Sequence, residues 1–163
     1  MRIRGLLAFL FSIAIAAAAL AQNKVSGTLQ CGKPDPAQRV DIGDRPDHAL
    51  TIGKVQCTWT KGIEIAGSQA KDGVSASTGE VTGNKETERG VHFTTFASGD
   101  KAFVRFQGSL VLKDGAPQSS QGTWSFTGGT GKLKGLKGKG TYKGTPAADG
   151  SLTFEIEGES SIP

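Results

Sequence analysis

The chain has 163 residues, with 19 Lys and Arg against 15 Asp and Glu, 24 glycines, two cysteines, two histidines and a single tyrosine. Two histidines exclude a His-rich zinc centre, and neither Cys-x-x-Cys nor His-Glu-x-x-His spacing occurs. A formal net charge of +4 is too small to imply a specific nucleic-acid partner.

Arg2 and Arg4 precede an apolar run from Leu6 to Leu20, and Ala19-Leu20-Ala21 supplies a small-x-small processing site. This is the three-part plan of a secretory signal peptide. Residues 1–21 are therefore expected to be removed, leaving 22–163 as one exported domain, periplasmic or extracellular. The apolar run falls short of the roughly 20 residues that span a bilayer, and no later segment reads as a spanning helix. No transmembrane segment is expected in the mature chain. Loss of Arg2 and Arg4 leaves 17 Lys and Arg against 15 Asp and Glu, a net charge of +2. Nothing in the sequence specifies an oligomeric state.

Eight extended segments follow in chain order, at about 23–31, 48–59, 72–84, 89–97, 101–113, 119–128, 137–145 and 151–158. In the first two, Val25, Gly27, Leu29 and Cys31 share one face, as do Val55, Cys57 and Trp59. Export permits a disulfide, and Cys31 with Cys57 is the one intrachain pairing available. A bridge between neighbouring strands is expected, worth about 3 kcal/mol in the chain-entropy model. The competing reading is a free nucleophilic thiol. Between these strands, a Pro/Asp-rich segment at about 32–47 carries Pro34, Pro36 and Pro46 with Asp35, Asp41, Asp44 and Asp47. It reads as a long irregular loop, either covering a barrel mouth or standing as a surface insert. Asp41, Asp44, Asp47 and His48 supply neither the alternating ligand register nor the terminal Glu of an EF-hand, so no metal is expected.

In the fourth segment Val91, Phe93 and Thr95 oppose His92, Thr94 and Phe96, and either face fits the inside. An inward His92 is a candidate general base; lacking a recognisable partner, it reads better as a hydrogen-bonded or surface histidine. The fifth segment places Ala102, Val104, Phe106, Gly108, Leu110 and Leu112 on one face. In the sixth, Ser120, Gly122, Trp124 and Phe126 alternate with polar residues, and in the eighth Leu152, Phe154 and Ile156 alternate with Thr153, Glu155 and Glu157. Lys132, Lys134, Lys137, Lys139 and Lys143 crowd the approach to the seventh segment and its outer face, opposite Tyr142. They read as a solvated, edge-protecting row or as a contact for anionic lipid, polysaccharide or nucleic acid.

Many short antiparallel strands imply a barrel or a sandwich. The run GGTGKLKGLKGKGTY, residues 128–142, resembles the glycine-rich segment of the allene oxide cyclase and dirigent families, and most of all that of uncharacterised bacterial exported proteins in this calycin-like superfamily. The resemblance implies a single eight-stranded antiparallel β-barrel, with a β-sandwich as the alternative. No residue of this chain matches the families' catalytic positions. The first expectation is thus a non-enzymatic exported barrel holding a small apolar ligand against Phe106, Leu110, Trp124, Phe126 and Phe154. The resemblance implies a second reading, a cofactor-independent cyclase or isomerase, which needs a polar residue such as His92 inside the barrel. Contact with an anionic surface through the lysines is the third. No cofactor is expected: Gly-Gly-Thr-Gly-Lys at 128–132 lacks the Ser/Thr of a phosphate loop, and no Gly-x-Ser-x-Gly elbow occurs.

Overall fold

The computed structural model describes residues 23–163, so the signal-peptide expectation lies outside the described residues. The chain forms strands β1 (Asn23–Cys31), β2 (Ala37–Asp41), β3 (His48–Lys61), β4 (Glu64–Ile65), β5 (Ser68–Thr82), β6 (Lys85–Phe96), β7 (Lys101–Lys113) and β8 (Ala116–Gly129). A 3-10 turn (Gly131–Leu133) leads to β9 (Lys137–Pro146) and β10 (Leu152–Ser161). The sheet runs β3-β1-β10-β9-β8-β7-β6-β5, and β5 pairs back onto β3. An eight-stranded antiparallel barrel is thereby closed, so the first and last strands of the sheet pair with each other.

The strands exist where the sequence alternates, because an inward apolar face can be buried only if every second residue points to it. Ala102 and Leu110 on β7, Trp124 on β8 and Tyr142 on β9 are buried, while their neighbours in sequence face outward. The segment 32–47, expected to be irregular throughout, departs from this rule. Within it β2 pairs with β3 from Ala37 opposite Gly53 to Asp41 opposite Ala49, yet every β2 residue is exposed. Ala-Gln-Arg-Val-Asp has no apolar face to announce a strand. It forms because β3 outlasts β1, which pairs only from Cys57 to Lys61 and leaves the rest of that edge open.

One end of the barrel is plugged. Leu133 and Leu136, from the Lys/Gly-rich turn, are each 1% exposed and pack with Ile63, Ile65, Phe96 and Ala102. The turn is pinned by the Thr130 hydroxyl, which accepts from the Lys101 amide at 2.8 Å, and by Asp100, which accepts from the Lys132 amide at 3.3 Å. Gly131 holds φ at 51° with the Asp100 carboxylate where a Cβ would stand, so glycine is required there on both counts. Farther up, Tyr142 lies over Gly108 and Gly122, which face each other across β7 and β8. A Cβ on either glycine would strike the tyrosine hydroxyl and the backbone of the opposite strand.

At the other end Cys31 and Cys57 stand directly opposite each other on β1 and β3 and form the disulfide. They are buried with Leu29 against Val55, Trp59, Phe154 and Ile156.

Candidate functional site: a cavity inside the barrel

Above the plug the interior is open. The cavity has a volume of about 490 Å³ and reaches a rim formed by Pro34 before β2, Arg39 of β2, Gly53 of β3, Pro117 of β8 and Gly150 before β10. The 32–47 segment therefore borders the opening.

One wall is apolar. Phe106, Leu110, Trp124, Phe126 and Phe154, the set expected to meet a ligand, all line the cavity together with Trp59, Val104 and Ile156. Their rings pack edge to face: Phe106 with Tyr142 at 6.3 Å between centroids, Tyr142 with Phe154 at 5.8 Å, and Trp124 with Phe126 at 5.0 Å. Such contacts lock the rings in place and leave their other surfaces to the cavity. Trp124 satisfies its indole N–H on the Thr141 carbonyl at 3.1 Å.

The other wall is polar and comes mainly from β5 and β6. On β6 the inward series is Glu86, Glu88, Gly90, His92, Thr94 and Phe96, which settles which face of that strand is internal. His92 is 8% exposed and both ring nitrogens are engaged, with Ser75 Oγ at 2.8 Å and Thr94 Oγ1 at 2.9 Å. The Trp59 indole, a donor only, gives its hydrogen to Thr94 Oγ1 at 3.2 Å. The Thr94 hydroxyl is thus free to donate to Nε2, an assignment that gives Nδ1 the hydrogen and lets it donate to Ser75. This order holds a neutral imidazole. Burial pushes the His92 pKa down from 6.5 to about 4. The ring is buried, with a hydroxyl partner on each nitrogen.

Sequence reasoning missed Glu86 and Glu88. Both line the cavity; Thr51 donates its hydroxyl to Glu86, and Tyr142 donates to Glu88 at 3.2 Å. Burial, with a smaller push from the Glu86 charge, raises the Glu88 carboxyl from 4.5 to about 6, against the opposing effect of the Tyr142 bond. Tyr142 is raised well above its ordinary value by burial first, then by Glu88. Only once the structure places Phe96 inside does alternation carry Glu86 and Glu88 with it. Ser120, 4% exposed on β8, also lines the cavity, with its hydroxyl beside that of Tyr142.

The remaining sequence candidates lie outside the cavity. His48 bridges Asp44 and, at 3.0 Å, Glu80, tying the end of the 32–47 segment to β5. The Asp44 and Glu80 bonds hold its pKa above the ordinary value, and the same His48 bond holds Asp44 below its own. Asp41 is spent on Arg39 at 2.9 Å. Among the described residues no group of three or more His, Cys, Asp or Glu is arranged to hold a metal ion. Lys132 and Lys134 flank the plug turn, and Lys137, Lys139 and Lys143 form an exposed row on β9. In the β9–β10 register Lys143 is opposite Glu155 and Lys139 opposite Glu159, with Glu157 between them, so a carboxylate row runs beside the lysines.

A closed antiparallel barrel with an internal cavity, apolar on one side and carboxylate-bearing on the other, is the class of protein that this geometry defines. No protein-family model matches the chain, and no curated protein matches it. Among solved structures, a pyocyanin demethylase is similar at 21% identity over 82% of this chain and 99% of that chain, with a TM-score of 0.43. Among the described residues no helix is long and apolar enough to cross a membrane.

Proposed function

We propose that the protein is an exported, single-domain barrel that holds a small, mainly apolar molecule in its interior. The observation that carries this reading is the open cavity of about 490 Å³ between the plug and the rim. Its size falls within the range typical of small-molecule sites. Eight-stranded barrels are just wide enough either to be filled by their own side chains or to hold one ligand, and this interior is not filled. The lining is dominated by aromatic and aliphatic groups, so removal of apolar ligand surface from water supplies the affinity.

The test is titration with N-phenyl-1-naphthylamine, a neutral apolar probe, while following Trp59 and Trp124 fluorescence. Saturable quenching at one probe per chain is expected. It should be lost in Ser77→Phe, which fills the upper cavity wall, provided circular dichroism shows the strands intact. Quenching that is absent in the wild type, or unchanged in the variant, would defeat the reading.

A second reading, a cofactor-independent isomerase of the allene oxide cyclase type, draws on one observation. Glu88, with its carboxyl near pH 6, lines the cavity beside Tyr142, where it can exchange a proton with an occupant. Turnover of an enolisable or cyclisable substrate, abolished by Glu88→Gln while probe binding persists, is its signature. The anionic-surface reading gains no such support, because the glutamate row of β10 accompanies the lysines.

A further inference from the structure

We propose that the molecule held in the barrel is an organic cation, an ammonium or protonated nitrogen base on an aromatic or alkyl body, with its charged nitrogen beside Glu86 and Glu88. This rests on the reading of the cavity as a small-molecule site.

Glu86 and Glu88 occupy successive inward positions on β6, about 7 Å apart along the strand. Neither lies within salt-bridge distance of a Lys, Arg or His among the described residues. The cavity offers them no cation of its own: Arg39 stands at the rim and is paired with Asp41 at 2.9 Å, and both nitrogens of His92 are already bonded to Ser75 and Thr94. Two half-buried carboxylates are thus left with hydroxyl donors alone, from Thr51 and Tyr142.

An occupant that excludes water from the cavity must compensate those carboxylates. A neutral molecule strips their hydration and returns no charge, and an anion adds repulsion. A cation replaces the lost water with an opposite charge. The neighbouring surface suits an organic one: Tyr142, bonded to Glu88, is edge-on to Phe106 and Phe154, and aromatic faces attract ammonium groups. An inorganic ion is poorly served, since two carboxylates fall short of an oxygen cage. The Ser120 hydroxyl, buried on the same cavity wall beside Tyr142, adds a polar group that an occupant's nitrogen can donate to.

The experiment is calorimetric titration of the mature protein at neutral pH with three matched probes, 1-naphthylmethylamine, 1-naphthalenemethanol and 1-naphthylacetate. The amine should bind at least roughly tenfold more tightly than the alcohol, and the acid should bind most weakly. In Glu86→Gln/Glu88→Gln the amine should fall to the affinity of the alcohol, while the alcohol binds as well as before or better. Equal binding of amine and alcohol to the wild type overturns the cation assignment and leaves the small-molecule reading standing. So does an amine preference that survives the double substitution. If none of the three probes binds, both inferences fall together. The wild-type series decides the question even if the double variant does not fold.

Discussion

Replacing His92 with Gln should change how the protein responds to acid, and the sign can be worked from the cavity. The folded state holds His92 neutral down to about pH 4, whereas an unfolded histidine takes up its proton near 6.5. Its contribution to stability is therefore complete above 6.5 and is lost as pH falls toward 4, an amount of about 3 kcal/mol. Glu88 acts in the opposite sense. Its carboxyl titrates near 6 when folded and near 4.5 when unfolded, so its contribution is complete below 4.5 and about 2 kcal/mol is lost as pH rises through 6. Other shifted groups act largely outside this window: the His48 contribution declines above 6.5, and those of Asp44 and Asp149 decline below 3.8. Between pH 6.5 and 4 the wild type should thus lose a net ~1 kcal/mol. His92→Gln should gain stability over the same range, and Glu88→Gln should lose about 3 kcal/mol. Urea unfolding at several pH values measures these slopes directly, and a lower starting stability of either variant does not alter the comparison. Parallel acid responses in wild type and His92→Gln would refute the buried neutral histidine.

Replacing Cys31 and Cys57 with Ser should cost about 3 kcal/mol in denaturant unfolding, and the proposed export should yield a product with the mass of a chain beginning at Gln22 and lacking two hydrogens. Free-thiol labelling of the native protein would contradict the bridge. Gly131→Val forces a β-branched side chain onto a φ of 51° and into Asp100, and Gly129→Val drives one into Leu133 and the Lys101 carbonyl. Each should lower thermal stability markedly, and an unchanged melting temperature would show that the base turn differs from the one described. Leu136→Ala in the plug should cost about 2–5 kcal/mol, whereas Lys137, Lys139 and Lys143 changed together to Gln should stay within about 0.5 kcal/mol per site, checked by the same unfolding assay.

The strands were legible where one face is apolar. β7 from Ala102 to Leu112 and β10 from Leu152 to Ile156 keep every second position apolar, so their faces follow from period alone. β2 was invisible because its pairing comes from an edge that β3 leaves open, a property of another segment. Leu133 and Leu136 read as part of a Lys/Gly turn, although they are the only large aliphatic residues between Phe126 and Tyr142 and both are buried. Of the cavity, the apolar wall was legible from Phe106, Trp124 and Phe154. The carboxylates were not, because Glu86 and Glu88 alternate with Lys85, Thr87 and Arg89, and a strand polar on both faces gives no local reason to turn one of them inward. Likewise the lysine row was visible, but the facing glutamates required the register of β9 against β10.

The tyrosine resting over Gly108 and Gly122 restricts how such a barrel can diversify. At either glycine an added methyl meets main chain of the opposite strand as well as the Tyr142 hydroxyl. Trimming the ring would therefore not make room for it. Girth at this level is fixed by the skeleton, and drift at either position is closed to single steps. Inward positions such as Ser75, Ser77, Glu86 and Glu88 carry no such lock, so relatives built on this frame should differ in the polarity of what they hold sooner than in its width.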